Sequence, residues 1–299
     1  MSTSGESDQA APVAIVHEGL TYAEIQGFRP LLLDLHVPAD ADDADGAGAG
    51  ADAGARSPVP VVVWLHGGAF WAGDRRHAPY EVFDTLVAAG IAVATIDYRL
   101  SGEARFPAQL DDVRAAIRYL GSHAVQWGLD VERLGVWGES AGGTLAALAA
   151  LAVSDDAADL PATAAALWCA PTDLVALRHF SAIAGLLGDH ADEELLAVAR
   201  QASPVTHVRH DAPPFLIVHG TADATVPIGQ SELLHRELRA AGARSSFVPV
   251  EDAGHAFAGH PEPHRLVEQA VGFFSAEFAR AAADDGSQLN PLQAKGFAG

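Results

Sequence analysis

Cysteine is almost absent from this chain of 299 residues. A single residue, Cys169, cannot form a disulfide within the chain, so nothing in the sequence points to an oxidising compartment. Cys169 lies in the apolar run Ala164–Ala170, and we expect its thiol to be buried in the core.

Basic residues are also scarce. Lysine and arginine together number 18, against 39 aspartates and glutamates, and the formal net charge is −21. Binding to phosphates requires a positively charged surface, so we exclude nucleic acids and anionic membranes as partners. The acidic excess is typical of a highly soluble surface or of adaptation to high salt.

Long apolar segments are missing too. The first twelve residues, MSTSGESDQAAP, have neither the basic start nor the apolar stretch of a signal peptide. No apolar run approaches the roughly 18 residues that a membrane-spanning helix needs. These absences predict a cytoplasmic protein without a membrane partner. Its 49% of hydrophobic residues is enough for a large core.

Composition divides the chain into one predicted domain, residues 13–281, and flanking or inserted polar segments. Residues 1–12 are predicted to be disordered, and residues 282–299 are predicted to form a loose tail. Residues 39–58 are nearly all alanine, aspartate and glycine, so we interpret them as a flexible loop inserted between two strands. Residues 173–200 exceed a simple helical crossover and are predicted to form a small lid or pocket wall.

Hydrophobic periodicity alternates between strand and helix along this domain. The β-branched run VPVVVWL, beginning at Val59, is typical of a strand buried on both faces. Strands are predicted near residues 13–17, 30–37, 59–65, 91–96, 133–137, 164–169, 214–219 and 246–250, and helices near 79–89, 110–120, 141–152, 228–240 and 267–278. The alternation predicts an α/β fold with a mostly parallel central sheet, helices on both faces, and ligands beyond the carboxyl ends of the strands.

The clearest chemical motif is Gly-Glu-Ser-Ala-Gly at residues 138–142, followed by Gly143. It lies between a predicted strand ending in LGVW and a helix rich in alanine and leucine. A serine at such a sharp strand-to-helix turn has its hydroxyl exposed at the sheet edge, where the helix N-terminus favours negative charge. We therefore interpret Ser140 as a nucleophile.

A serine hydroxyl needs a base, and that base needs an orienting carboxylate. His255 follows the last predicted strand, in EDAGHAF, and Asp223 follows the preceding apolar strand, in HGTADATVP. We predict that His255 is the general base and that Asp223 orients it. Asp173, after an earlier strand, and Asp252, three residues before His255, are rival carboxylates.

An oxyanion site is predicted in HGGAF, residues 66–70, directly after the strand VVVWL. Glycines let backbone amides turn toward a reacting carbonyl group. We predict that Gly68 and Ala69 donate to the oxyanion, together with the amide of Ala141 after the nucleophile. Taken alone, the glycine pair has a simple tight turn as its alternative interpretation.

Aromatic residues near these motifs are candidates for lining a substrate pocket. They are Phe70, Trp71 and Tyr98, and a role in core packing is the alternative for each. The oligomeric state is left open.

The motifs HGGAF, GESAGG, HGTADATVP and DAGHAF together resemble the α/β-hydrolase family. The stretches IDYRL, FPAQLDDVRAAIRYL and SPVTHV are similar to the branch that includes hormone-sensitive-lipase-like enzymes and bifunctional feruloyl and acetylxylan esterases. This resemblance implies a serine carboxylesterase that cleaves small-molecule esters through an acyl-enzyme on Ser140, without a metal or cofactor. Ala69 stands where many relatives carry a third glycine, which leaves the backbone amide in place.

The resemblance also sets the substrate expectation. The segment before the first strand is too short for the large helical cap of the lipase-like relatives, so we expect a smaller, more open pocket that takes short-acyl or aryl esters. Relatives that share these motifs include kynurenine-formamidase-like amidases and peptidases, which are the alternative activities. A binding module without catalysis is a further alternative.

Overall fold

The computed structural model describes residues 14–39, 57–152, 156 and 159–288. The predictions for residues 1–12, for 40–56 and for 289–299 lie outside these ranges. Within them, no helix combines the length and the apolar character that a membrane span requires.

In the part of the chain that the structure describes, eight strands form one sheet with the order β1-β2-β4-β3-β5-β6-β7-β8. They are β1 (Ala14–Ala23), β2 (Leu31–Pro38), β3 (Val59–Leu65), β4 (Ala92–Ile96), β5 (Leu129–Glu139), β6 (Ala164–Trp168), β7 (Phe215–Gly220) and β8 (Ser245–Val250). Strand β2 is antiparallel to both β1 and β4, and every other pair is parallel. The prediction of a mostly parallel sheet is therefore confirmed.

Eight α-helices flank the sheet in the described chain. They are α1 (Val82–Ala88), α2 (Ala108–Ser122), α3 (Ala124–Trp127), α4 (Ala141–Leu151), α5 (Ser181–Leu187), α6 (Asp192–Gln201), α7 (Gly229–Ala240) and α8 (His264–Gln288). Helix α1 begins three residues later than predicted, because Tyr80 and Glu81 have left-handed backbone angles.

The prediction of a loose tail from residue 282 is wrong for residues 282–288, which continue helix α8. Ala281, Ala282 and Ala283 are strong helix formers and no proline follows them before residue 291, so the helix has no local reason to end at Ala281. The domain therefore extends beyond its predicted boundary.

Alternate residues of the buried strands divide the core into two layers. Val61, Val63 and Leu65 face the layer covered by α2, α4 and α7. Val62 and Trp64 face the layer covered by α1 and α8. This two-sided burial is the reason that these strands are continuously apolar.

An aromatic stack ties the sheet to the loop after β8. The rings of Trp137 and Trp168 meet edge to face at 4.9 Å, and Trp168 meets Phe257 edge to face at 5.0 Å. Such pairs add about 0.5–1.5 kcal/mol each beyond their burial. Because Phe257 lies two residues after His255, this packing also fixes the loop that carries that histidine.

A buried ionic cluster ties the loop after β3 to the sheet. Arg75 contacts Asp34 of β2 at 2.7 Å and Asp97, directly after β4, at 3.1 Å. The backbone amide of Arg75 also donates to Asp97. A buried ion pair needs this degree of hydrogen bonding to offset its desolvation, so the cluster holds the loop in one place.

Candidate active site

The turn between β5 and α4 carries Ser140 in a strained conformation. Its backbone angles are φ 53° and ψ −117°, a region that costs about 1–3 kcal/mol for a residue other than glycine. A Cβ atom at Gly138 would overlap the carbonyl of Gly142, and one at Gly142 would overlap the carbonyl of Leu65. The flanking glycines are therefore needed for the helix to pack this tightly against the strands.

Three side chains from separate loops meet at this turn. Nε2 of His255 lies 2.9 Å from Oγ of Ser140, and Nδ1 of His255 lies 2.7 Å from Oδ2 of Asp223. The loops follow β5, β7 and β8, whose carboxyl ends share one edge of the sheet. This geometry lets the imidazole accept the serine proton while the carboxylate holds the other ring nitrogen.

The two rival aspartates are elsewhere. The Asp173 carboxylate accepts a hydrogen bond from the amide of Ala176, at the start of the segment before α5. Asp252 is exposed in the loop after β8, and its amide donates to the hydroxyl of Thr221. Of the three candidates, the structure brings only Asp223 to His255.

The carboxylate of Asp223 is held by four donors. Oδ1 accepts the amides of Thr225 at 2.8 Å and Val226 at 2.9 Å. Oδ2 lies 2.7 Å from Nδ1 of His255 and 3.2 Å from Nε2 of His219. Burial alone would raise the pKa of Asp223, but these hydrogen bonds outweigh it and hold the pKa well below its usual value.

The loop HGGAF lies against the nucleophile. A Cβ atom at Gly67 would be 3.6 Å from Cβ of Ser140, and Ala69 has a left-handed φ of 56°. Among the described residues, the amides of Gly68 and Ala69 donate to no protein acceptor. Ala141 is the first residue of α4, where helix amides are unpaired by geometry. These three amides are therefore free to serve a ligand.

Two of the three aromatic candidates lie in the core. Phe70 is 1% exposed and Tyr98 is fully buried. The ring of Tyr98 stacks on His66 at 4.3 Å, and its hydroxyl donates to the His66 carbonyl at 2.8 Å. This burial corrects the pocket interpretation of Phe70 and Tyr98, because both side chains pack in the core.

Trp71 behaves differently, since it is 68% exposed. It lines a cavity of about 630 Å³ together with Ala69, the loop of residues 101–105, and Ser181 and Gly185 of α5. The predicted lid segment, residues 173–200, thus supplies one wall of a cavity that reaches the oxyanion loop.

Comparison with known proteins identifies the family. A family model described as BD-FAE matches residues 51–238, more than half of the chain. The chain belongs to the BD-FAE family. One relative of this chain is esterase LipQ of Mycobacterium tuberculosis. The two sequences are 32% identical over 235 residues, which cover 72% of this chain and 54% of LipQ. The chain spans about half the length of the curated relatives it matches.

Two solved structures share the fold of this BD-FAE member over nearly their whole length. A truncated carbohydrate esterase from gut microbiota has a TM-score of 0.74 at 25% identity, covering 91% of this chain and 98% of that chain. Esterase 2 of Thermogutta terrifontis, phosphorylated by paraoxon, has a TM-score of 0.66 at 26% identity, covering 90% and 94%. The resemblance to the α/β-hydrolase fold is confirmed.

Sequence reasoning did not single out Glu139, the neighbour of Ser140 in this BD-FAE member. Its side chain is buried, which raises the pKa of its carboxyl, while the charges of His255 and His77 oppose that rise. Its position inside the serine motif was the available signal, but the motif alone does not reveal that the side chain turns inward.

Cys169 completes a cluster that has the spacing of metal ligands. One ligand atom each from Cys169, Asp223 and His255 lies within 4.8 Å of the others. A cysteine must be deprotonated to bind a metal, and burial raises the pKa of Cys169 to about 12. Asp223 and His255 are already hydrogen-bonded to each other. This donor set therefore fits a metal poorly, and the absence of a metal or cofactor stays a prediction.

Proposed function

We propose that this protein is a serine carboxylesterase that hydrolyses small carboxylic esters through an acyl-enzyme on Ser140. The observation that carries the proposal is the unbroken hydrogen-bonded line from Oγ of Ser140 through His255 to Asp223. The esterase names of the relatives that match this chain support the same reaction class.

The first half-reaction acylates the serine. Nε2 of His255 takes the hydroxyl proton of Ser140 as Oγ forms a bond to the ester carbonyl carbon. The carbonyl π bond breaks and its electron pair becomes the oxyanion, which the amides of Gly68, Ala69 and Ala141 bind. The carbonyl then re-forms as the bond to the alcohol oxygen breaks, and His255 returns the proton to the leaving alcohol.

The second half-reaction repeats these steps with water. His255 takes a proton from water as the oxygen attacks the acyl carbon, and the proton then passes to Oγ as the carboxylic acid leaves. In both halves the ionised Asp223 stabilises the imidazolium form of His255. The start of α4 at Ser140 adds a favourable field for the oxyanion.

The cavity beside the oxyanion loop supports a substrate class. Its volume of about 630 Å³ and its exposed Trp71 suit a small ester with a flat or cyclic group. We therefore propose short-acyl and aryl esters as substrates. Cytoplasmic location and the absence of nucleic-acid partners stay predictions.

The experiment compares the wild type with Ser140→Ala and a matched control, Ser122→Ala. Ser122 is a serine at the end of α2 whose hydroxyl bonds only to nearby groups, the carbonyl of Tyr119 and the ring of His123. Paraoxon should phosphorylate the wild type and Ser122→Ala, and intact mass should show no adduct on Ser140→Ala. Turnover of p-nitrophenyl acetate should fall by at least about 10³-fold in Ser140→Ala alone.

Two outcomes would overturn the proposal. An adduct of unchanged yield on Ser140→Ala would place the nucleophile elsewhere. Faster hydrolysis of N-formylkynurenine than of any p-nitrophenyl ester by the wild type would assign the site to an amidase instead.

A further inference from the structure

A second histidine contacts the carboxylate of the candidate triad. His219 lies near the carboxyl end of β7, and its side chain and that of Asp223 are both fully buried. Nε2 of His219 lies 3.2 Å from Oδ2 of Asp223, the same oxygen that contacts Nδ1 of His255 at 2.7 Å. One carboxylate oxygen is therefore shared between two imidazoles.

The neighbours of His219 determine where its proton is. Nε2 also lies 2.9 Å from the carbonyl oxygen of Val226, and both of its partners can only accept a hydrogen bond. Nε2 must therefore carry a hydrogen and share it between the two oxygens. Nδ1 lies 2.7 Å from Oγ of Ser231, whose hydroxyl can donate to it and complete a neutral ring.

This arrangement leaves the Asp223 carboxylate little freedom. The amides of Thr225 and Val226 hold Oδ1, and the two imidazoles hold Oδ2. His219 is bonded at both nitrogens, so it cannot rotate without breaking a buried hydrogen bond. Its ring connects Ser231 of helix α7 with the loop that carries Asp223.

We propose that His219, with its tautomer set by Ser231, is a positioning residue that aims the Asp223 carboxylate at His255 for the reaction at Ser140. The inference rests on the proposed esterase function. It predicts that His219 acts on the rate of the chemical step and leaves substrate binding unchanged, since its ring is buried behind Asp223 and does not reach the cavity.

The test uses two variants of His219. His219→Leu removes the N–H donor, and His219→Gln keeps an amide N–H near the position of Nε2. With p-nitrophenyl acetate, kcat of His219→Leu should fall about 10- to 100-fold, the range found when outer hydrogen-bond partners are removed at metal sites, with KM unchanged. His219→Gln should recover most of this loss.

A pH profile separates positioning from simple folding. A hydrogen bond from His219 neutralises part of the negative charge on Oδ2 of Asp223. Without it, that oxygen would stabilise the protonated imidazole of His255 more strongly, so the acid limb of kcat/KM should move to higher pH. Other titratable groups that interact with this cluster are Glu139, His77, Cys169 and Tyr80, and they are unchanged in these variants. The limb should return to its wild-type position in His219→Gln.

Controls keep the inference testable if His219→Leu does not fold. Ser231→Ala keeps the buried ring but removes the donor to Nδ1, and it should lower kcat and move the acid limb in the same direction by less. His235→Leu removes a control histidine whose Nδ1 lies 2.9 Å from Oγ of Ser245 and which contacts no carboxylate among the residues that the structure describes. This variant should change neither kcat nor the position of the acid limb. All rates are divided by the fraction of protein that paraoxon titrates.

The inference would be overturned by a folded Ser231→Ala with wild-type kcat and acid limb. A folded His219→Gln that is no better than His219→Leu would overturn it too, since donation would not be the role of His219. Failure of the esterase proposal is visible separately, because wild type would then take up no paraoxon or Ser140→Ala would remain active.

Discussion

Replacing Asp223 by asparagine changes one oxygen for an NH₂ group at a carboxylate that accepts four hydrogen bonds. On one side the donors are the backbone amides of Thr225 and Val226, which cannot give up their hydrogens. On the other side both partners of Oδ2 are imidazoles. His219 keeps the carbonyl of Val226 as acceptor for its Nε2 hydrogen, and His255 can change tautomer. The NH₂ group should therefore face His255, whose Nδ1 then accepts and whose Nε2 carries the hydrogen toward Ser140.

In that tautomer Nε2 cannot take the serine proton, so the chemical step loses its base. Loss of the correct tautomer in a serine triad lowers kcat about 10⁴-fold, and four factors of ten correspond to about 5.4 kcal/mol of transition-state stabilisation. The same change removes a carboxylate whose pKa is held low by its donors, so the folded protein should also lose stability at neutral pH.

The assay measures kcat for p-nitrophenyl acetate and the melting temperature in Asp223→Asn and in the matched variant Asp173→Asn. Asp173 accepts one backbone amide and has no contact with His255, so its variant should keep wild-type kcat. A folded Asp223→Asn that retains more than about one tenth of wild-type kcat would refute the tautomer argument. Equal loss in Asp173→Asn would move the acid to the earlier strand.

Three further predictions concern the elements that hold the site. Gly142→Ala should abolish the cooperative thermal unfolding transition and paraoxon labelling, because the added Cβ would overlap a backbone carbonyl of β3. Its control, Gly272→Ala on α8, places a Cβ in open space and should leave the melting temperature unchanged or slightly higher. Arg75→Met leaves two buried aspartates without their main partner and should lower the free energy of unfolding by about 3 kcal/mol in urea, with Arg76→Met near zero as its exposed control. Cys169 should resist iodoacetamide in the native protein at pH 8 and react in denaturant, since burial raises its pKa to about 12; native labelling followed by mass spectrometry checks this.

The sheet was largely predictable because its strands are buried on both faces and therefore read as continuous apolar runs. The reversed direction of β2 was not predictable, since pairing direction depends on how the chain returns and not on local periodicity. The end of α8 was misplaced for a related reason. Composition predicts a loose tail from residue 282, whereas the helix continues through Ala282 and Ala283.

The candidate site shows the same division. Ser140, His255 and Asp223 could be named because each follows a predicted strand, and the carboxyl ends of parallel strands meet at one edge. The choice of Asp223 over Asp173 and Asp252 is a prediction from chain order, and the distances in the structure support it.

The amino-acid sequence by itself determined the order of the eight strands and of helices α1, α2, α4, α7 and α8. It also determined the strained turn at Ser140 and the glycines that permit it, because these features depend on neighbours in the chain. Only the tertiary structure decided that Phe70 and Tyr98 pack in the core, that Trp71 faces a cavity, and that His219 shares a carboxylate oxygen with His255. Those facts depend on distances between segments far apart in the chain. Such distances are set by the packing of whole strands and helices, which no local pattern of residues records.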